Sequence, residues 1–117
     1  MKFFRFDKEI GFPIKQYDSQ AANFIKVFRN KQETSVGFIQ IEAGGVVGYH
    51  QASVEQLFII VQGAGWVTGT DRKRIPITNG EGVIWKEGEW HESGSESGML
   101  ALVIESESID TSLLQEK

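Results

Sequence analysis

His50 and His91 are the only histidines in this chain, and it has no cysteine. Imidazole serves either as a metal ligand or as an acid–base group near neutral pH. Both histidines sit in similar glycine frames. In the first, Gly44 is followed by five residues, then His50, Gln56 and Gly63; in the second, Gly80 is followed by five residues, then Lys86, Gly88 and His91. Glycine at such positions serves tight turns whose backbone angles other residues resist. In an extended segment residues 50 and 52 point to the same side, so donors at both would converge on one point. Position 52 is alanine. A strand returning antiparallel brings Gln56 to the same interior, and a later strand supplies His91. Glu55 lies next to Gln56 but faces the other way by strand parity.

Two chemistries follow from these residues. One is metal binding, for which paired imidazoles suit a divalent transition metal such as iron, manganese, nickel or zinc. Without a metal, His91 or His50 would be the catalytic general base. Phe58 and Ile60 share the parity of Gln56, and Trp66 and Trp85 flank the two frames. Gln56, Phe58, Ile60, Trp66 and Trp85 are therefore the residues expected to line a ligand pocket. Trp90 precedes His91 and is expected to face away from it. Gly80-Glu81-Gly82 runs into a strand rather than a helix start, so no phosphate loop and no nucleotide cofactor are expected. No Ser/His/Asp arrangement has recognisable local geometry.

The elements that must position these groups are short strands. Thirteen glycines punctuate runs of β-branched and aromatic residues, the spacing of an antiparallel sandwich or barrel. Strands are expected over about Phe24–Arg29, Ser35–Ala43, Gln56–Gln62, Gly65–Gly69, Arg74–Thr78, Val83–Trp85 and Met99–Glu105. Turns are expected at Ala43-Gly44-Gly45, Gly63-Ala64-Gly65, Gly69-Thr70-Asp71 and Asn79-Gly80-Glu81-Gly82. The tail after Ser108 reads as a short helix, with Ser108 or Asp110 as its cap. In Gln56–Gln62 and Met99–Ile104 both faces are apolar, whereas an isolated antiparallel sheet shows one polar face to water. A cover is required: part from the N-terminal segment, the rest from a second subunit, which makes a homodimer the expected state.

Composition bounds the remainder. At 117 residues, 40% hydrophobic and 24% charged, the chain reads as one globular domain. Residues 1–34 are expected to form an N-terminal strand and cover segment, 35–105 the barrel core and 106–117 the tail. A net charge of −4 argues against nucleic acid, whose phosphates need a basic face. Arg72-Lys73-Arg74 reads as a solvated hairpin turn. No apolar run approaches a membrane span, and the start lacks the apolar core of a signal peptide, so a cytoplasmic location is expected.

The two frames resemble the paired motifs of the cupin superfamily: Gly, five residues, His-x-His, three or four residues, Glu, six residues, Gly; then Gly, five residues, Pro-x-Gly, two residues, His, three residues, Asn. Here the first reads Gly44, His50, Ala52, Gln56, Gly63 and the second Gly80, Lys86, Gly88, His91, Ser95. Three of five positions match in each, every spacing is kept, and the resemblance spans roughly Ser35 to Glu105. It implies an all-β fold, the cupin-type antiparallel β-barrel or jelly roll, with a metal site at the barrel mouth. Ala52 and Gln56 depart from that pattern, removing one imidazole and the only anionic ligand. The resemblance thus implies a barrel that binds a small organic molecule, with at most a weak metal site at His50/Gln56/His91. Two other readings stand beside it: a metal-dependent dioxygenase, isomerase or epimerase, and an interaction module without catalysis.

Overall fold

The computed structural model describes residues 1–117. Eleven strands follow in order: β1 (Lys2–Arg5), β2 (Phe12–Pro13), β3 (Asn23–Phe24), β4 (Thr34–Ile41), β5 (Gly45–Gln51), β6 (Glu55–Thr68), β7 (Ile75–Thr78), β8 (Glu81–Trp85), β9 (Trp90–Ser95), β10 (Met99–Ser106) and β11 (Gln115–Glu116). The only helical turn is a single 3-10 turn at Lys8–Ile10. One antiparallel layer runs β11-β1-β8-β6-β10-β4; β5, β9 and β7 join through the far half of β6 to make the opposing layer. This is an all-β, jelly-roll barrel.

One strand builds both layers. The first half of β6 pairs with β8 and β10, and its second half, Ala64–Thr68, pairs with β7 and β9. The bend between them falls at Gly63, which has φ +86. A Cβ there would lie 2.3 Å from the Gly98 carbonyl oxygen, so both the angle and the approach demand glycine. A register shift in the β6–β10 ladder, opposite Leu100 and Ala101, leaves Val61 unpaired and adds to the bend. The turn expected at Gly63-Ala64-Gly65 is therefore a corner inside a 14-residue strand.

Alternation along β6 sorts its side chains into two cores. Phe58 and Ile60 face the barrel interior with Val67, Val83, Trp85 and Ala101. Leu57 and Ile59 face outward, where Phe4, Ile84, Ile104 and Ile109 bury them, with Phe6, Val27 and Phe28 packed on top. Both ends of the same chain thus supply the expected cover over that part of the outer face. Residues 6–33 cross that face from β1, near one edge of the layer, to β4, at the other.

The expected strand Phe24–Arg29 shrinks to Asn23–Phe24, because Val27 and Phe28 are committed to the outer core instead. The expected tail helix is absent. Asp110 accepts from the Ser112 amide, and Leu114 N–H donates to Thr111. That turn sends Gln115–Glu116 back as β11 alongside β1. Docking against an open strand edge outweighs a helix of two turns, which is marginal in isolation.

Gly88 has φ +82 with nothing within 4 Å of a Cβ placed there. Gly88→Ala is therefore expected to lose about 1 kcal/mol and a few degrees of melting temperature. Gly63→Ala, which adds a backbone clash to the same angular cost, is expected to lose clearly more. Thermal melts of the two variants followed by circular dichroism check the order.

Candidate functional site

His50 lies near the end of β5 and His91 near the start of β9. The two are directly paired in the β5–β9 ladder, just past a bulge at residues 48–49. Opposed residues of an antiparallel pair present their side chains on the same face, and the imidazole centroids are 4.4 Å apart. Trp85, at the end of β8, stacks on His91 at 4.2 Å and tilts against Phe58 at 5.5 Å. Its indole N–H donates to the Thr68 carbonyl at 3.1 Å. An aromatic column therefore runs from the core through Phe58 and Trp85 to His91, and ends on His50 at the rim. His91 is 3% exposed, whereas His50 is exposed.

Hydrogen bonding settles the tautomer of both rings. Nδ1 of His50 lies 2.6 Å from the Gly48 carbonyl, and Nδ1 of His91 lies 3.2 Å from the Glu89 carbonyl. A carbonyl can only accept, so each Nδ1 donates, and the neutral form of either ring presents Nε2 as a lone pair. Neither Nε2 has a protein partner, and no buried side-chain nitrogen is left unsatisfied, so both open to the mouth. Burial pushes the pKa of His91 below the ordinary histidine value, only partly offset by the Glu89 carbonyl; the neighbouring His50 lowers it further.

The turn that presents His91 is tied to the strand end that presents His50. Ala52 N–H donates to the Glu89 carbonyl at 3.0 Å, and Gly88 N–H donates to the Ala52 carbonyl at 2.8 Å. The Gln51 amide reaches the Gly88 carbonyl at 3.1 Å. Within the turn, the Glu89 carboxylate accepts from Lys86 N–H at 3.0 Å.

The other expected site residues separate. Gln56 is half-buried and paired with Trp85, so it faces the interior as its position required. Phe58, Ile60 and Trp85 are at most 1% exposed; they fill the interior rather than wall an open pocket. Trp66 does not line the interior. Val67 occupies the inward position beside it, and Trp66 lies on the outer face over Gly94, whose missing Cβ would sit 2.3 Å from the indole. Arg74 covers that ring at 3.8 Å. Arg72 likewise lies over Tyr49, which stacks on the outward-facing Trp90. The basic turn is thus held on aromatic faces rather than simply solvated.

A residue not singled out from the sequence shares the inner row with Gln56, beside a cleft that neither histidine lines. Ser35 pairs with Glu105, Glu105 with Gln56, and Gln56 with Trp85, so the four form one row on the inner face. Glu105, with Glu33, Ser35 and Glu107, lines a cleft of about 500 Å³. The signal was available: Glu105 has the parity of Val103 and Ala101, both inward-facing. It went unused because a charged residue at a strand end reads as solvated.

The residues present do not fit a resident divalent metal. Two imidazoles converge, Ala52 occupies the position of a further donor, and no three His, Cys, Asp or Glu side chains gather where they could hold an ion. Glu105 shares the row but does not complete such a group.

Among proteins of known structure, this arrangement of strands is that of small cupin-type barrels. A cupin superfamily protein from Desulfitobacterium hafniense superposes with TM-score 0.58 at 16% identity, over 66% of this chain and 69% of its own. An RmlC-like cupin from Shewanella frigidimarina gives 0.60 at 17% identity, covering 66% and 68%. A predicted oxalate decarboxylase from Thermotoga maritima gives 0.54 at 22% identity, covering 59% and 62%. At these identities the likeness establishes the fold, a cupin barrel. No protein-family model and no curated protein matches the sequence.

Two outcomes follow from the site's geometry. A ring held neutral by burial binds fewer protons than in the unfolded chain. Stability is therefore expected to rise with pH across the window below about 6.5, and to fall as pH drops through it. Replacing His91 by Gln should flatten that slope in melts from acid to neutral pH. Restoring the missing ligands, as Ala52→His with Gln56→Glu, should confer stoichiometric binding of a divalent metal that the natural sequence does not retain after dialysis, as read by elemental analysis.

Proposed function

We propose that this chain is a cupin-barrel protein that binds a small organic molecule at the barrel mouth through hydrogen bonds donated by the ligand. The observation that carries this reading is the pair of neighbouring imidazoles, each with Nδ1 against a backbone carbonyl and Nε2 without a protein partner. Two acceptors on rings 4.4 Å apart favour a group with N–H or O–H donors, such as an amine or a polyol. The Gln56 amide, paired with Trp85 on the inner row, adds a further polar group. Orientation comes from these few polar groups set against a packed apolar floor.

A second reading is favoured by one specific observation. The Glu89 carbonyl orients His91, and burial keeps that ring unprotonated; these are the conditions of a general base. An enzyme of the isomerase or epimerase type would use His91 to take a proton from a bound substrate, with His50 as the second imidazole. In both readings the same two rings are indispensable.

The test is a thermal-shift screen against amines, polyols and hydroxy acids. A ligand that binds only the folded state raises the melting temperature by mass action. The expected hit carries several donors, and its shift is lost in His50→Ala and in His91→Ala. Shifts that survive both substitutions would place the ligand elsewhere. Turnover of a hit, abolished by His91→Gln, would establish the general-base reading. Stoichiometric retention of a divalent metal by the natural sequence, lost in His91→Ala, would overturn the metal-free one.

A further inference from the structure

The outer face of the second layer, built from β5, β9, β7 and the far half of β6, stays open where the first layer is covered. Val46, Gly94, Trp66 and Pro76 pair across it in one row, and opposed residues share a face. Trp66 lies over Gly94 beside Val46, and the Arg74 guanidinium stands 3.8 Å from its ring. Along β9, Trp90 and Glu92 share the outward parity of Gly94. Trp90 stacks on Tyr49 at 5.0 Å, and Arg72 lies over Tyr49 at 4.6 Å. The Tyr49 hydroxyl donates to the Thr70 carbonyl at 2.8 Å, which fixes that ring. Val46 and Trp90 remain 61% and 39% exposed.

Charge gives this face a direction. The chain carries a net charge of −4, yet three consecutive cations, Arg72-Lys73-Arg74, stand here. Only Arg72 among them has an ion-pair partner. Its Nε donates to Glu92 at 3.3 Å, and neither Nη group makes a hydrogen bond. Asp71 is engaged by the Lys73 N–H. Arg74 keeps its whole planar fork for a ligand while resting on the indole. A guanidinium held on a ring has given up its freedom before a ligand arrives, so binding costs less entropy. Tryptophan, tyrosine and arginine are also the residue types that dominate binding energy in protein interfaces. A nucleic-acid backbone fits less well, because Glu92 and Asp71 stand among the cations and the chain as a whole is acidic.

We propose that this outer face is a docking surface for an acidic segment of a partner protein. Apolar side chains of the segment pack on Val46 and Trp90. Its carboxylates take forked, charge-assisted hydrogen bonds from Arg72 and Arg74. Opposite charge steers the encounter and sets the register. The face lies on the other side of the β5–β9 layer from His50 and His91, so the inference is independent of the reading of the barrel mouth.

The test is fluorescence anisotropy on the full chain, with labelled peptides that carry glutamate at alternate positions and leucine, phenylalanine or alanine between. The leucine and phenylalanine probes are expected to bind, more weakly as salt rises; their glutamine-for-glutamate counterparts are not. Arg72→Gln, Arg74→Gln and Val46→Asp should each weaken binding by at least about tenfold in Kd, with unchanged circular dichroism melts. Arg72→Glu with Arg74→Glu should transfer binding to lysine-for-glutamate peptides, a gain that a misfolded variant cannot give. Lys31→Gln, in the loop before β4, should change nothing. Failure of every glutamate probe overturns the proposal, and so does equal weakening by Lys31→Gln. A single-stranded oligonucleotide that binds more tightly than the peptides would overturn it in favour of a nucleic-acid surface. Inorganic phosphate that displaces the peptides at matched charge would reduce the face to an anion site. A change of oligomeric state in Arg74→Glu, with no probe bound by the natural chain, would assign the face to another copy instead.

Discussion

The candidate site depends on one small lattice of backbone hydrogen bonds between two chain segments far apart in sequence. Residues 51–52, leaving β5, and residues 86–89, entering β9, exchange N–H and carbonyl groups in both directions. The Glu89 carbonyl accepts from Ala52 N–H and also receives Nδ1 of His91. Glycine at 88, with φ +82, lets the turn double back without a Cβ penalty. One peptide carbonyl therefore joins the two half-sites and sets the tautomer of the buried imidazole. The identity of residue 52 matters less than its backbone: an alanine there keeps the joint while giving up a ligand.

That loss is decisive for the chemistry. A facial set of imidazoles and a carboxylate holds a metal by charge as well as geometry; two neutral rings and an amide have geometry alone. What replaces the ion is a dry floor. Trp85 packs flat beneath His91, and Phe58 packs against Trp85, so burial disfavours a proton on His91, and Glu89 offsets that only in part. The same packing that closes the interior keeps the imidazole a base. Burial and chemistry are two consequences of one contact.

The legible part of the sequence was its turns and the strands with apolar alternation. Gly44, Gly63, Gly80 and Gly88 all take positive φ, as their places in the spacing frames required, and β4, β7, β8 and β10 fall close to the expected ranges. Between residues 34 and 106, the two strands that were not foreseen are the ones that carry the histidines. β5 contains Gly45 and Gly48 and reads as loop. β9 reads Trp-His-Glu-Ser-Gly-Ser, and its inward positions are polar yet buried. Ser95 satisfies its hydroxyl by donating to the Ala64 carbonyl at 2.6 Å and accepting from Gly98 N–H at 2.8 Å. Hydrophobic periodicity is blind to a strand whose buried side chains are paid for by hydrogen bonds. Trp66 failed for a related reason: its distance from the motifs in sequence was informative, but its face was set by Val67 beside it.

The two layers consequently divide the work. The layer of β8, β6 and β10 is apolar on both sides and sandwiched between the inner and outer cores; it fixes the fold. The layer of β5 and β9 is glycine-rich and polar and contributes little area, so it must take its rigidity from the first. Thr68 shows how. At 0% exposure, its carbonyl receives the Trp85 indole and its hydroxyl receives Glu92 N–H at 3.0 Å, pinning β9 to the aromatic column from the other side. A strand with few apolar anchors is thereby held at both ends of its first turn, by Glu89 before His91 and by Glu92 after it. The imidazole between them has no freedom to find a different partner, and that restraint is what makes its open Nε2 available to a ligand.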